Sequence, residues 1–298
     1  TYFDAFDSHF YKVWEIVSKL DKEKFKQHQR YYQHMLHHLL EIPTEINRHI
    51  HRKPLGYSGD FMIMNYIYNF NGNNYLGGSS YEMLINNYTC NIPVSCSNVR
   101  RKEFFKGKIL ETINKKNKAV ILSIGSGPLR ELTELLEEGK INKPLLFKCL
   151  DFEKRALDYV SDKISKLDEE KKHFLTIEYI QKNIIGIIKD TALKTKAADN
   201  DFVYISGVFD YLSERICSRL IKEFLQSLKS GGTLIVCNAD LENSSHRAYY
   251  ELLGEWNMLH RTKKELLSWT EDIKDKAEMR FENIQDHNNY LFYSIKKV

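Results

Sequence analysis

No apolar run in the 298 residues approaches the ~18 needed to cross a bilayer. The first residues also lack the basic, apolar and small-residue succession of a secretory signal. The expectation is a cytoplasmic chain without a membrane span. Cysteine is sparse and odd in number: Cys90, Cys96, Cys149, Cys217 and Cys237, with no CxxC pair. That usage excludes a disulfide framework and a thiolate metal centre, and suits a reducing compartment. Cys149 and Cys237 fall inside strand-like runs and read as buried thiols. His34 and His38 have the i,i+4 spacing of metal ligands, but no third ligand or HExxH pattern accompanies them. They are read with His37 as helix-face residues, and no metal is expected. Charge of one sign is lacking too. The 44 Lys and Arg against 40 Asp and Glu leave a net charge of +4, interleaved along the chain. A solvated surface, not a nucleic-acid footprint, follows. There is no internal repeat and no low-complexity tract.

What is present is an ordinary globular composition, 42% hydrophobic and 28% charged, long enough for one large domain or two smaller ones. Residues 1 to about 110 read mostly as helices. FDSHFYKVWEIVSKL carries Phe10, Val13, Trp14, Ile16, Val17 and Leu20 close to a 3.6 period, HQRYYQHMLHHLLEI continues in that style to Pro43, and FMIMNYIYNF is a further apolar helix. From Ala119 the texture changes. AVILSIG, LLFKCLD, FLTIEYI, FVYISG, GTLIVCN and NYLFYSI read as strands, with the helical segments LRELTELLEE, EKRALDYVSDKISKL and SERICSRLIKEFLQSL between most of them. That alternation predicts an α/β fold with a mostly parallel sheet covered on both faces. The terminal MRFENIQDHNNYLFYSIKKV predicts an antiparallel hairpin at a sheet edge, closed by a tight polar turn. The division expected is a helical cap over 1–110 and a Rossmann-like, seven-stranded domain over 111–298.

The densest chemical signal is AVILSIGSGPLREL. A β-branched run ends in Gly125-Ser126-Gly127 and a helix pattern starts at once. The next strand ends on Asp151, 26 positions after Gly125. Glycines let a backbone turn approach a nucleotide-like cofactor closely, and an acid at the tip of the next strand accepts hydrogen bonds from a ribose diol. Two details turn the signal away from a dinucleotide. Arg130 stands where the G-x-G-x-x-G fingerprint needs a third small residue, and Pro128 removes an N–H that a pyrophosphate would use. A phosphate-free cofactor, S-adenosylmethionine, tolerates both.

Residues 119–298 then resemble the class I S-adenosylmethionine-dependent methyltransferases. DFVYISGVFDYL resembles their fourth strand and the loop after it, LKSGGTLIVCN their Gly-Gly turn into strand five (Gly231, Gly232), and the closing hairpin their reversed seventh strand. Upstream, KPLGYSGDFMIMNYIY resembles the KP-x-GYAGD motif of a bacterial methyltransferase family that includes enzymes proposed to make 3-hydroxy fatty acid methyl esters. SNVRRKEFFKGKI, ISGVFDYL and the W-x-x-x-x-RT of Trp256 to Thr262 extend the resemblance over most of the chain. Two departures stand out: Ser58 replaces the usual Ala, and Asn238-Ala239-Asp240 replaces Asn followed by an apolar or aromatic residue.

The resemblance and the pattern together assign the candidate site. Gly125, Ser126, Gly127 and Pro128 form the turn against the methionine tail, Asp151 takes the ribose hydroxyls, Phe152 lies beside the adenine, and Asn183 meets the adenine amino group or simply caps a loop. Tyr57 covers the methyl donor, while Asp60 borders the cofactor or only N-caps the next helix. Ser206 and Gly207 follow strand four at the cofactor crevice. Asp210 orients or deprotonates an acceptor, or is an ordinary helix-terminal acid. Tyr211 hydrogen-bonds the acceptor. Arg101 is the better aligned of Arg100 and Arg101 for pairing with a substrate or cofactor carboxylate. Arg247 and Arg261 are weaker carboxylate candidates, and His246 is a candidate base or a solvated loop histidine.

The implied activity is methyl transfer to a small-molecule acceptor, leaving S-adenosylhomocysteine, with O-methylation of a fatty or hydroxy acid as the first expectation. N-methylation of a small amine or protein side chain is the alternative enzyme. An S-adenosylmethionine-binding regulatory or assembly subunit is the alternative outside catalysis. No nucleic-acid partner is expected, and a homodimer is left open.

Overall fold

The computed structural model describes residues 1–41, 44–70, 77–284 and 289–298. Pro43 and the expected polar turn of the terminal hairpin lie outside the described residues. Two compact units are formed. The first contains the described residues of Thr1–Val99, Asn243–Met258 and His287–Asn289; the second contains those of Arg100–Glu242, Leu259–Asp286 and Tyr290–Val298.

The first unit is helical. Its elements are α1 (Tyr2–Val17), α2 (Lys22–Leu36), α3 (Glu45–Arg52), α4 (Phe61–Asn69), α5 (Ser80–Asn91) and the start of α6 (Pro93–Lys115), with π-helical turns at His37–Glu41 and Ala248–Leu253. Of the apolar stripes read from the sequence, Phe10 and Val17 of α1 and Ile63 and Ile67 of α4 are buried, whereas Ile16 faces outward; Ile85 and Tyr88 of α5 are buried as well. Asn47 and Thr89, buried with them, are paired. Asn47 donates to Leu40 O and the Tyr249 hydroxyl at 2.7 and 2.9 Å, and Thr89 Oγ1 lies 2.6 Å from that hydroxyl. The KPLGYSGD loop is equally fixed. Gly56 and Lys53 both have positive φ, Lys53 pairs with Glu255, and Ser58 Oγ donates to Glu255 O at 3.0 Å. An alanine at 58 has no such donor, so the departure at Ser58 adds a hydrogen bond of this chain's own.

The second unit is a seven-stranded sheet of order β3-β2-β1-β4-β5-β7-β6. Its strands are β1 (Ala119–Ile124), β2 (Leu145–Asp151), β3 (Leu175–Gln181), β4 (Asn200–Ile205), β5 (Leu228–Ala239), β6 (Ala277–Phe281) and β7 (Tyr290–Lys297). Helices α7 (Arg130–Glu137), α8 (Lys154–Ser165), α9 (Glu169–Lys172), α10 (Thr191–Lys196), α11 (Glu214–Gln226) and α12 (Lys263–Ser268) connect or cover them, with the rest of α6. β1 to β5 are parallel, and β7 runs antiparallel to both β5 and β6, with Ala239 opposite Tyr290. This is the Rossmann-like, seven-stranded, mostly parallel sheet with an antiparallel C-terminal hairpin that the sequence predicts. Central strands covered on both faces must be apolar throughout, and every residue of β1 and β4 is buried. β3, at one edge, alternates instead and leaves Thr176, Glu178 and Tyr179 exposed. β6, at the other edge, carries Glu278 and Arg280, charges that discourage pairing with another strand. Strand order reverses between β1 and β4, and open α/β sheets bind ligands at that crevice, beyond the carboxyl ends of the strands.

Candidate cofactor site

β1 delivers the glycine turn to the crevice. Gly125 and Gly127 have φ of +65° and +52°, values that favour glycine. A Cβ on Gly125 would stand 2.3 Å from Val208 Cγ2, so the turn fits against the loop after β4 only without a side chain. The amides of the turn point inward. Gly125 N–H donates to Leu150 O at 2.9 Å, Gly127 N–H to Asp151 Oδ2 at 3.0 Å and Leu129 N–H to Ser126 O at 3.1 Å. Pro128 has no N–H to offer.

Asp151, at the tip of β2, is buried and acceptor-only when ionised. Oδ2 receives Gly127 N–H, and Oδ1 receives Glu153 N–H at 2.9 Å. The carboxylate thereby joins the β1 and β2 loops, and each oxygen keeps a second lone pair for a hydroxyl. Burial raises its pKa, opposed by the N–H groups of Glu153 and Gly127. Phe152, beside it, leaves 55% of its surface exposed, an unusual degree for phenylalanine at a strand end. Asn183 caps the 3₁₀ turn Ile184–Ile188 through Oδ1, which accepts from Ile185 N–H at 2.9 Å.

After β4, Ser206 N–H donates to Ile124 O at 3.4 Å, and Gly207 has φ of +69°. The Arg101 guanidinium from α6 covers Gly207: a Cβ there would meet Nη1 at 3.3 Å. The same guanidinium lies over the Tyr290 ring, 4.8 Å from its centroid. Asp210 is 1% exposed. Its Oδ1 accepts from Ala239 N–H at 2.6 Å, and burial pushes its pKa from 3.8 to about 6, opposed by that N–H and by Arg101 and Arg261. Tyr211, next in the chain, is 45% exposed.

Sequence reasoning gave Arg261 only a weak carboxylate-binding role, and the structure shows what it holds. Nη1 donates to Phe209 O and Asn238 Oδ1 at 2.9 and 2.6 Å, Nη2 donates to Leu212 O, and the cation lies over Trp269. It staples the loop carrying Asp210, and Thr262 beside it begins α12 with a capping box to Glu265. The R-T pair of the sequence motif is thus one loop staple and one helix cap. Asn238, the residue of the Asn238-Ala239-Asp240 segment that the resemblance retains, supplies part of the socket.

Within the helical unit, Tyr57 is half-buried and Asp60 caps α4, Oδ1 accepting from Met62 and Ile63 N–H, while Oδ2 lies 2.8 Å from His49 Nε2. His246 is buried, with Nε2 2.8 Å from Asp7 Oδ1 and Nδ1 3.1 Å from Ser245 Oγ. Arg247 pairs with Glu251 and covers Trp14. One buried acid escaped the sequence reading altogether: Glu131, the second residue of α7, bonded to the Tyr204 hydroxyl at 2.6 Å. Its spacing carried the signal, since Glu131 and Leu135 share one inward stripe.

No protein-family model and no curated protein matches the sequence. Among solved structures, a possible exported protein from Bordetella parapertussis is similar over 85% of this chain and 86% of its own, with 16% identity and a TM-score of 0.64. The magnesium protoporphyrin IX methyltransferase ChlM of Synechocystis PCC 6803 superposes over 80% of this chain and 96% of its own, with 10% identity and a TM-score of 0.48. The methyltransferase domain of bacterial CtHen1-C does so over 66% and 98%, with 15% identity and a TM-score of 0.49. At these identities the likeness concerns the fold. No helix among the described residues is long and apolar enough to cross a membrane.

Proposed function

We propose that this protein is an S-adenosylmethionine-dependent methyltransferase acting on a small molecule. The observation that carries the reading is the way the glycine turn spends its amides. Gly125, Gly127 and Leu129 donate inside the protein and Pro128 cannot donate, which leaves a poor cradle for a pyrophosphate and an adequate one for a neutral nucleoside with an amino-acid tail. Asp151, fixed from both sides at the tip of β2, supplies acceptors for the ribose diol, and Phe152 an exposed ring for the adenine. Ser206 and Gly207 border the amino-acid tail. Asn183 joins the site in the proposal through the resemblance.

S-adenosylmethionine held by the glycine turn and Asp151 would supply a sulfonium methyl group for in-line transfer to the acceptor, its carbon–sulfur bonding pair staying with sulfur. The chain's contribution is alignment and exclusion of water. Tyr211, 45% exposed in the turn that follows β4, orients the acceptor. Asp210, sequestered and bonded to Ala239, acts by fixing that loop and the arginines beside it. A carboxylate acceptor is ionised at neutral pH and needs no base, which agrees with so buried an acid. We therefore favour O-methylation of a carboxylate, of the fatty or hydroxy acid type that the KP-x-GYAGD resemblance implies.

Calorimetric titration should show binding of S-adenosylmethionine and S-adenosylhomocysteine but not of NAD; binding of NAD alone would overturn the assignment. Transfer of a radiolabelled methyl group to an acid-stable, base-labile product would support an ester. A base-stable product would point to N-methylation.

A further inference from the structure

The outer face of α2 joins an apolar row to a patch of cations. Its inner face is fixed within the helical unit: Gln29 and Gln33 donate to Glu251 O and Leu253 O at 2.7 and 2.9 Å, and Phe25 packs edge-on against Trp14. Those contacts set which residues face outward. Tyr31, Met35 and Leu39 do so at successive fourth positions, 65%, 50% and 44% exposed. The first two stand on α2 and the third on the π-helical turn that follows it. Tyr81 of α5, itself exposed, lengthens the strip, its hydroxyl donating to Leu39 O at 2.7 Å. A single exposed apolar side chain is ordinary, whereas a contiguous row of them marks an interaction surface.

The charges beside the row choose the partner. Lys24, seven positions before Tyr31, lies on the same line of the helix, and Lys26 and Arg30 form the next row, one turn apart; all three are exposed. No acidic residue occurs between Lys24 and Leu40. Asp21 and Glu23 sit at the start of the helix, where Asp21 caps it and lies 3.8 Å from Lys24 Nζ. A second copy docked face to face would set this cationic patch against itself. A nucleic-acid backbone would satisfy the cations and leave Tyr31, Met35 and Leu39 in water. A bilayer rich in anionic lipid meets both needs, with headgroup charge for the cations and the acyl boundary for the apolar row. The aliphatic stems of lysine and arginine suit that setting, since they lie along apolar matter while the charge reaches the headgroups.

We propose that the outer face of α2 is a docking surface for an anionic membrane, on which the protein lies without spanning it. The proposal stands apart from the methyltransferase reading, since it uses neither the glycine turn nor Asp151.

Sedimentation of the full chain with lipid vesicles tests it. Vesicles of phosphatidylcholine and phosphatidylglycerol in equal parts should carry the protein down, and vesicles of phosphatidylcholine alone should not. Salt at about 1 M, which cuts the screening length to about 3 Å, should weaken binding by about tenfold or more. Lys26→Gln with Arg30→Gln should weaken binding to the mixed vesicles by about tenfold or more, about fivefold for each cation. Tyr31→Ser with Met35→Ser should weaken it by about tenfold as well, through loss of inserted apolar area. All four side chains point away from the core, so both variants should keep the wild-type urea midpoint. Lys118→Gln with Lys140→Gln, an exposed pair in the sheet unit, should bind as the wild type does. No sedimentation with the mixed vesicles, or equal binding to both kinds, would overturn the proposal. An equal loss in the variant at Lys118 and Lys140 would reduce the attraction to diffuse charge and overturn it too. Should Tyr31→Ser with Met35→Ser leave vesicle binding intact, while Lys26→Gln with Arg30→Gln abolishes binding to vesicles and to duplex DNA alike, the face is a general polyanion site and the proposal fails.

Discussion

Asp210→Asn isolates the electrostatic state of a single buried group. The carboxyl is 1% exposed, and asparagine can keep the Oδ1 acceptor that Ala239 N–H uses at 2.6 Å. The variant therefore changes charge and little else. In the wild type the folded-state pKa is raised from 3.8 to about 6. Between those values the folded chain holds a proton that the unfolded chain has lost, so stability falls as pH rises through the window. The rise corresponds to about 3 kcal/mol, reached in full above pH 6 and absent below pH 4. Asparagine cannot ionise, so the variant should gain on the wild type across the window by that amount and then hold its advantage. Urea unfolding of both proteins at half-unit steps from pH 4 to pH 7.5 measures the difference directly. Other buried acids, Asp151 and Glu131 among them, contribute to both curves and cancel. A difference that stays flat from pH 4 to pH 7.5 would refute the argument, and one that shrinks with pH would reverse its sign.

Asp151→Ala should abolish detectable S-adenosylhomocysteine binding in a calorimetric titration. It should also destabilise the chain by about 1–3 kcal/mol, since the inward-facing Gly127 and Glu153 amides lose their acceptor. Gly125→Ala forces a Cβ to 2.3 Å from Val208 at a φ of +65°, and should cost more than about 1 kcal/mol by chemical unfolding while weakening the cofactor. Arg261→Met removes three buried donor contacts and one of the two arginines opposing the rise at Asp210. A loss of about 3–5 kcal/mol is expected, along with a further rise in the Asp210 pKa, visible as a displaced pH–stability profile.

The sheet was legible because its strands obey one physical rule. β1, β2 and β4 are buried on both faces and so had to be apolar runs, and the glycine turn and Asp151 sit at their ends, where a ligand would be met. The closing hairpin showed in its alternation and polar middle. Helices α3 and α5 were less visible, since EINRHIHR and SYEMLINNYTCN mix polar residues into their inward faces, Asn47 and Thr89 among them, which share the hydroxyl of Tyr249 from a distant segment. The same limit hid Glu131 and Arg261. An acid in the first turn of a helix is ordinary, and an arginine before a helix cap reads as surface charge. Only the fold brings Tyr204 to the one and the Phe209, Leu212 and Asn238 oxygens to the other. The tasks of Ser58 and of Asn238 likewise follow from which segments meet.

The carboxylate of Asp151 clasps amides from two different loops before any ligand is considered. Much of the ordering that a mobile crevice would undergo on capture is then supplied by the chain's own hydrogen bonds. Exchange of the Gly127 and Glu153 amide hydrogens with solvent deuterium should be slow without cofactor and change little with it, and binding should need little rearrangement around Asp151.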